Sequence, residues 1–106
     1  MAWIMLVVAG LLEIAFALAL KSSAGFTRLM PSLVTIGAGL SSVVLLSFSL
    51  RSVPVGTGYA VWTGIGAAGT AIFGMAMLGD AMGPMRILCI LLILAGVIGL
   101  KLVSGQ

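Results

Sequence analysis

The chain has 106 residues, of which 62% are hydrophobic and 7% charged, five basic and two acidic, giving a net charge of +3. Soluble domains carry about 25% charged residues, so this chain would aggregate in water and belongs in lipid, where its whole surface can be apolar; disorder, a collagen repeat and a secreted disulfide scaffold are excluded with it. With no histidine and a single cysteine (Cys89) it assembles no Ser-His-Asp site, Cys-His pair or His-rich metal cluster, no cofactor is expected, and so slight a positive charge is no nucleic-acid footprint.

Four apolar segments follow one another at about residues 3–20, 33–50, 55–78 and 85–103, each near the roughly 20 residues a membrane span requires. In hydrocarbon every backbone amide must be paired inside its own segment. The expected fold is therefore all-α, a single four-helix transmembrane domain over residues 1–106, and no enzyme. Pro31, Pro54 and Pro84 stand where helices begin, since proline's missing N–H has no partner in a first turn.

The first segment lacks the basic leader of a cleavable signal peptide and carries Glu13 near its centre. A carboxylate at that depth costs at least ~2.5–3.5 kcal/mol, and no basic residue of the chain shares its level. Burial disfavours the charged form of a carboxylic acid, so two partners remain: a proton, or a cation that comes and goes. A group that releases H⁺ to accept a cation, and the reverse, has the minimum chemistry of a proton-coupled antiporter. The plainer reading is a permanently protonated Glu13 bonded to a neighbouring helix. On its helical face lie Ala9, Gly10, Phe16 and Ala17: the small residues leave space or allow close packing, and Phe16 supplies a ring.

The second segment has no charge; of its hydroxyls, Ser41 or Ser42 either bonds back to its own helix or orients Glu13. The third places Tyr59, Trp62 and Thr63 on one helical face, inside the span and away from the interfacial belt where Tyr and Trp gather. They are candidates to hold the carboxylate or to wall a cation by cation–π contact, against ordinary aromatic packing. Gly64-Ile65-Gly66-Ala67-Ala68-Gly69 spells G-x-G-x-x-G, but it sits in an apolar helix with no βαβ unit, so a dinucleotide site is rejected. Glycine costs a helix about 1 kcal/mol relative to alanine, and Gly64 and Gly66 are expected to form a hinge. Gly66, Thr70 and Gly74 also read as a small-residue packing stripe. The fourth segment offers small residues (Cys89, Ala95, Gly96, Gly99) for helix association, while Arg86 and Lys101 snorkel, or pair with Asp80 or the chain terminus.

Four spans put both termini on one side of the membrane, with Arg51 and Lys101; the other side carries Lys21, Arg28 and Arg86. This near-balance gives the positive-inside rule little to act on. Insertion in both orientations, and hence an antiparallel dimer, competes with a fixed orientation. Glu13 lies within ~2 Å of its segment's midpoint, so an inverted copy would bring a second Glu13 to nearly the same depth, and the pair would titrate jointly.

The whole chain resembles the small multidrug resistance transporter family. The residues that carry this are Gly10-Leu11-Leu12-Glu13, Gly25-Phe26-Thr27-Arg28-Leu29, Pro31-Ser32, the run from Pro54 to Gly66, and Ala95-Gly96-Val97-Ile98-Gly99-Leu100-Lys101. The resemblance implies an antiparallel dual-topology homodimer in the bacterial inner membrane that exports cations in exchange for protons. The family's essential carboxylate matches Glu13, its binding-site tyrosine and tryptophan match Tyr59 and Trp62, and its helix-two serine matches Ser42. Trp62-Thr63-Gly64-Ile65-Gly66-Ala67 and Gly99-Leu100-Lys101 resemble the guanidinium exporter branch, whereas the quaternary-ammonium branch usually has an aromatic near Gly39. One departure stands out: the guanidinium branch usually has tryptophan where this chain has Phe16, which offers no N–H. Broader selectivity is expected, taking in substituted guanidinium or quaternary ammonium compounds. The expected site is thus Glu13, with Gly10, Phe16, Ser42, Tyr59, Trp62 and Thr63 around it. The alternatives are a multidrug exporter of lipophilic quaternary ammoniums and a non-transporting membrane subunit in which Glu13 serves assembly.

Overall fold

The computed structural model describes every residue except Leu78, Asp80, Ala81, Gly105 and Gln106. Four helices follow in order, α1 (Ala2–Ser22), α2 (Leu29–Ser49), α3 (Val55–Met77) and α4 (Pro84–Ser104), all long and apolar enough to cross a membrane. At 1.5 Å per residue they reach about 30 Å or slightly more, the thickness of a hydrocarbon core.

The largest departure from the expected boundaries is at α2, which begins at Leu29 rather than near residue 33. Pro31 therefore lies inside the first turn, where a missing N–H costs nothing. Pro54 directly precedes α3 and Pro84 opens α4. The expected end of the third segment at Leu78 lies outside the described residues, as does the pairing of Arg86 or Lys101 with Asp80.

Tight connections turn the chain back between α1 and α2 and between α2 and α3. Between α1 and α2, buried Ser23 donates its hydroxyl to Leu20 O (2.7 Å) and accepts the Phe26 N–H (3.2 Å). Ala24, Gly25 and Phe26 all take positive φ, at 50°, 75° and 66°. Between α2 and α3, Gly58 has no Cβ, and one built there would collide with Leu50 Cδ2; its absence lets the turn fold onto the start of α3.

Helix α1 is the centre of the arrangement, packed extensively on both α2 and α3, while the backbones of α2 and α3 barely meet and that of α4 approaches α3 alone. The result is a slab of 43 × 34 × 17 Å. Its packed core joins Leu6 and Ala9 of α1, Leu46 of α2 and Val61 of α3, ringed by Trp3, Leu45, Trp62, Ile65, Val97 and others. These residues belong to the half of the membrane nearer the termini. Lipid tails are as apolar as leucine, so packing and hydrogen bonds, not water exclusion, hold helices together there. The four buried hydroxyl residues Ser23, Thr35, Ser42 and Ser49 all reach carbonyls, as hydrocarbon demands. At the terminal edge the Lys101 ammonium lies 4.6 Å from the Trp3 ring centroid, tying the end of α4 to the start of α1 by a cation–π contact.

Candidate functional site

Helix α1 runs from residue 2 to residue 22, so Glu13 lies one residue from its midpoint. Its half-buried carboxylate has no hydrogen-bond or ion-pair partner among the described residues. The side chain passes over α3 at a glycine: a Cβ on Gly66 would lie 2.6 Å from Glu13 Cγ and 3.1 Å from its Cβ. Room for the carboxyl therefore comes from Gly66. Gly10, expected to leave room beside Glu13, instead receives Ile65, whose Cγ2 would be 2.6 Å from a Cβ there.

Glu13 borders two cavities. One, of about 440 Å³, opens between α1 and α2. The aromatic rings of Phe16, Phe26 and Trp62 wall it, with Ile36, Gly39, Leu40 and Val43 along α2. Phe16 lies over Gly39, where a Cβ would meet its ring at 2.9 Å, so the two residues form a fitted pair. The other cavity, of about 430 Å³, lies between α1 and α3, and Ala17, Thr63, Gly66, Ala67 and Thr70 help to line it.

Below the carboxylate the three helices are locked together by one relay. The Trp62 indole N–H donates to Ser42 Oγ at 2.8 Å, and the Ser42 hydroxyl donates to the Ala9 carbonyl at 2.7 Å. By helical geometry that carbonyl also accepts the backbone N–H of Glu13 four residues on. Ser42 and Trp62 therefore brace the turn that carries Glu13, and their hydrogen bonds go to one another and to the Ala9 carbonyl and not to the carboxylate. Tyr59 is 55% exposed and its ring packs against Trp62 at 5.5 Å, tilted by 55°. Its phenol has no hydrogen bond among the described residues. The Thr63 hydroxyl donates to the Tyr59 carbonyl. At the expected hinge α3 is unbroken, and a Cβ on Gly64 would lie 2.5 Å from Val97 Cγ2; that glycine seats α4.

Phe26, Ile36, Leu40 and Val43 line the aromatic cavity without having been singled out as site residues. Counting helical turns from Gly39 would have reached Ile36 and Val43. On a helix apolar all round, however, nothing in hydrophobicity marks that face as the one beside Glu13.

Fold and site define a four-pass membrane protein with an unpartnered carboxyl at mid-depth beside open, aromatic-walled space. Comparison with known proteins places it further: the model of the Small Multidrug Resistance protein family matches residues 1–93, and the chain belongs to that family. A protein named guanidinium exporter from Yersinia pseudotuberculosis is 59% identical over 104 residues, covering 98% of this chain and all of the relative. Proteins of the same name from Citrobacter freundii and Escherichia coli K12 are 56% and 54% identical over 102 residues, covering 96% of this chain and 97% of each relative. The protein is accordingly a multi-pass transporter of the bacterial inner membrane.

Proposed function

We propose that this protein exports guanidinium-like cations in exchange for protons, as an antiparallel homodimer whose two Glu13 residues share one central site. The observation that carries the reading is the mid-membrane carboxylate with no partner among the described residues. An uncompensated charge in hydrocarbon is expensive, so the group is neutralised by a proton or by a cation. Both occupy the same oxygens, so each displaces the other, and inward proton flow drives outward cation flow. The planar fork of guanidinium N–H groups matches a carboxylate bidentately, and the rings of Phe16 and Trp62 offer faces to a positive charge. Relatives named for guanidinium export support the substrate class.

Shape and depth support the dimer. The slab is 17 Å thin, and the cavities beside Glu13 open at its surface, where a second copy would close them. An inverted copy would bring its own Glu13 to nearly the same level, because the residue is about 1.5 Å along the axis from the middle of α1. Bending of α3 at Gly64 and Gly66 would open the shared site to either side in turn.

One observation favours a broader substrate range. The aromatic cavity of about 440 Å³ far exceeds a bare guanidinium ion, and its ring at Phe16 has no N–H to donate. Substituted guanidinium and quaternary ammonium ions fit it. Solid-supported-membrane electrophysiology on reconstituted protein tests both points. Guanidinium should evoke proton-coupled currents that Glu13→Gln abolishes while the dimer persists. A variant that still transports defeats the antiport reading, and one that falls apart into mixed oligomers favours a role in assembly.

A further inference from the structure

We propose that the proton reaches Glu13 through water held along α3 by Thr63 and Thr70, while the organic cation approaches from the aromatic cavity between α1 and α2. One carboxyl would then be served from two sides. The inference deepens the antiport reading and rests on it.

The two cavities bordering Glu13 differ in chemistry. In the aromatic one the polar hydrogens other than any on Glu13 are already committed: Thr35 donates to the Pro31 carbonyl at 2.7 Å and the Trp62 indole to Ser42. The rest of its wall is ring, methyl and glycine. The cavity between α1 and α3 carries two hydroxyls, Thr63 and Thr70. They stand one turn before and one turn after Gly66, which marks the level of Glu13 on α3 by its contact with Glu13 Cγ. Residues 63, 66, 67 and 70 share one helical face.

Thr70 is the telling residue. A hydroxyl inside a transmembrane helix normally bonds back to the carbonyl one turn earlier, as Ser32, Thr35 and Thr63 do here. Thr70 is half-buried and makes no hydrogen bond among the described residues, yet no unbonded side-chain oxygen is sealed away. Thr70 lines the same cavity as the carboxylate, and its oxygen is not fully enclosed by protein. An internal water is held when two to four polar partners surround it. The Glu13 oxygens, the free lone pairs of Thr63 and the Thr70 hydroxyl supply that number, whereas the aromatic cavity offers the carboxylate almost alone. Besides Glu13, the titratable groups on the elements around this cavity are Lys21 in the last turn of α1, Tyr59 on α3, and Arg86, Cys89 and Lys101 on α4, while α2 has no charged residue; Arg86 and Cys89 line a neighbouring cavity that meets this one at Ala71.

The test measures two quantities on reconstituted protein: the rate of proton-coupled guanidinium exchange, with a pH-sensitive dye inside the vesicles, and guanidinium affinity at alkaline pH, where protons compete least. Thr70→Val should slow exchange about tenfold, the loss of one hydrogen bond in the relay, with affinity unchanged and the pH profile of the rate displaced. Thr70→Ser, which restores the hydroxyl, should return to within about twofold of the natural protein. If Thr70→Val fails to assemble, Thr70→Ala, which also lacks the hydroxyl, carries the same expectation. Wild-type rates in the variant without the hydroxyl overturn the proposal. So does a parallel loss of rate and affinity that serine does not rescue, which marks Thr70 as a packing residue. A natural protein that exchanges no protons at all brings down the antiport reading itself, a result distinguishable from either of these.

Discussion

Replacing Gly66 by alanine probes the contact between the two central helices at the carboxylate. The added Cβ would lie 2.6 Å from Glu13 Cγ, about 1 Å inside the 3.5–4.0 Å of an ordinary carbon contact. The Glu13 Cβ, at 3.1 Å, is fixed to the α1 backbone and cannot turn away. Either the carboxyl swings aside or α1 and α3 part. Overpacking of this kind costs about 1–3 kcal/mol, offset by the roughly 1 kcal/mol alanine gains over glycine in a helix. Thermal stability should therefore fall by at most about 2 kcal/mol. Displacing a reacting group by 1 Å can cost on the order of 100-fold, so guanidinium affinity and exchange should fall by about 10- to 100-fold. Gly10→Ala is the paired control: its Cβ would meet Ile65 at 2.6 Å, away from the carboxyl, and should lower stability while affinity changes less. Isothermal titration with guanidinium, beside thermal unfolding in detergent, reads both. If Gly66→Ala binds guanidinium as the natural chain does, Gly66 does not set the position of Glu13.

Other outcomes follow from the same geometry. Ser42→Ala leaves the Trp62 indole N–H without its acceptor and should cost about 1–3 kcal/mol in unfolding; Trp62→Phe in that background should cost less than it does alone, because the two act as one relay. Phe16→Trp should narrow selectivity, raising guanidinium over tetraalkylammonium in competing transport assays, and equal preference in both proteins would sink that idea. Lys101→Ala removes the cation from Trp3 and should lower thermal stability by about 0.5–2 kcal/mol with guanidinium affinity unchanged. Guanidinium affinity should weaken as pH falls, by up to tenfold per pH unit for each proton displaced, measured by titration across pH.

The four spans and the isolation of Glu13 were legible in the sequence because lipid imposes blunt rules: length, absence of charge and proline at helix starts. The start of α2 was harder to read, since Arg28 and Pro31 look like a linker until proline's tolerance of a whole first turn is considered. Partnerships across helices were less legible still. The sequence points to Ser42, Trp62 and Glu13 as neighbours, but which donor meets which acceptor depends on helix rotation. An apolar helix in lipid carries little amphipathic signal to set that rotation. The glycines of α3 show the same limit. Gly64 and Gly66 suggest bending in the sequence; that one also seats Val97 and the other admits Glu13 are contacts that only the packed neighbours could reveal.

The central claim is that one carboxyl holds either a proton or a cation. Adding guanidinium to purified, weakly buffered protein and recording pH tests it most directly. Protons should be released in proportion to cation bound, and Glu13→Gln should release none. Guanidinium binding at full strength with no proton released, across the pH range in which the protein is active, would contradict it.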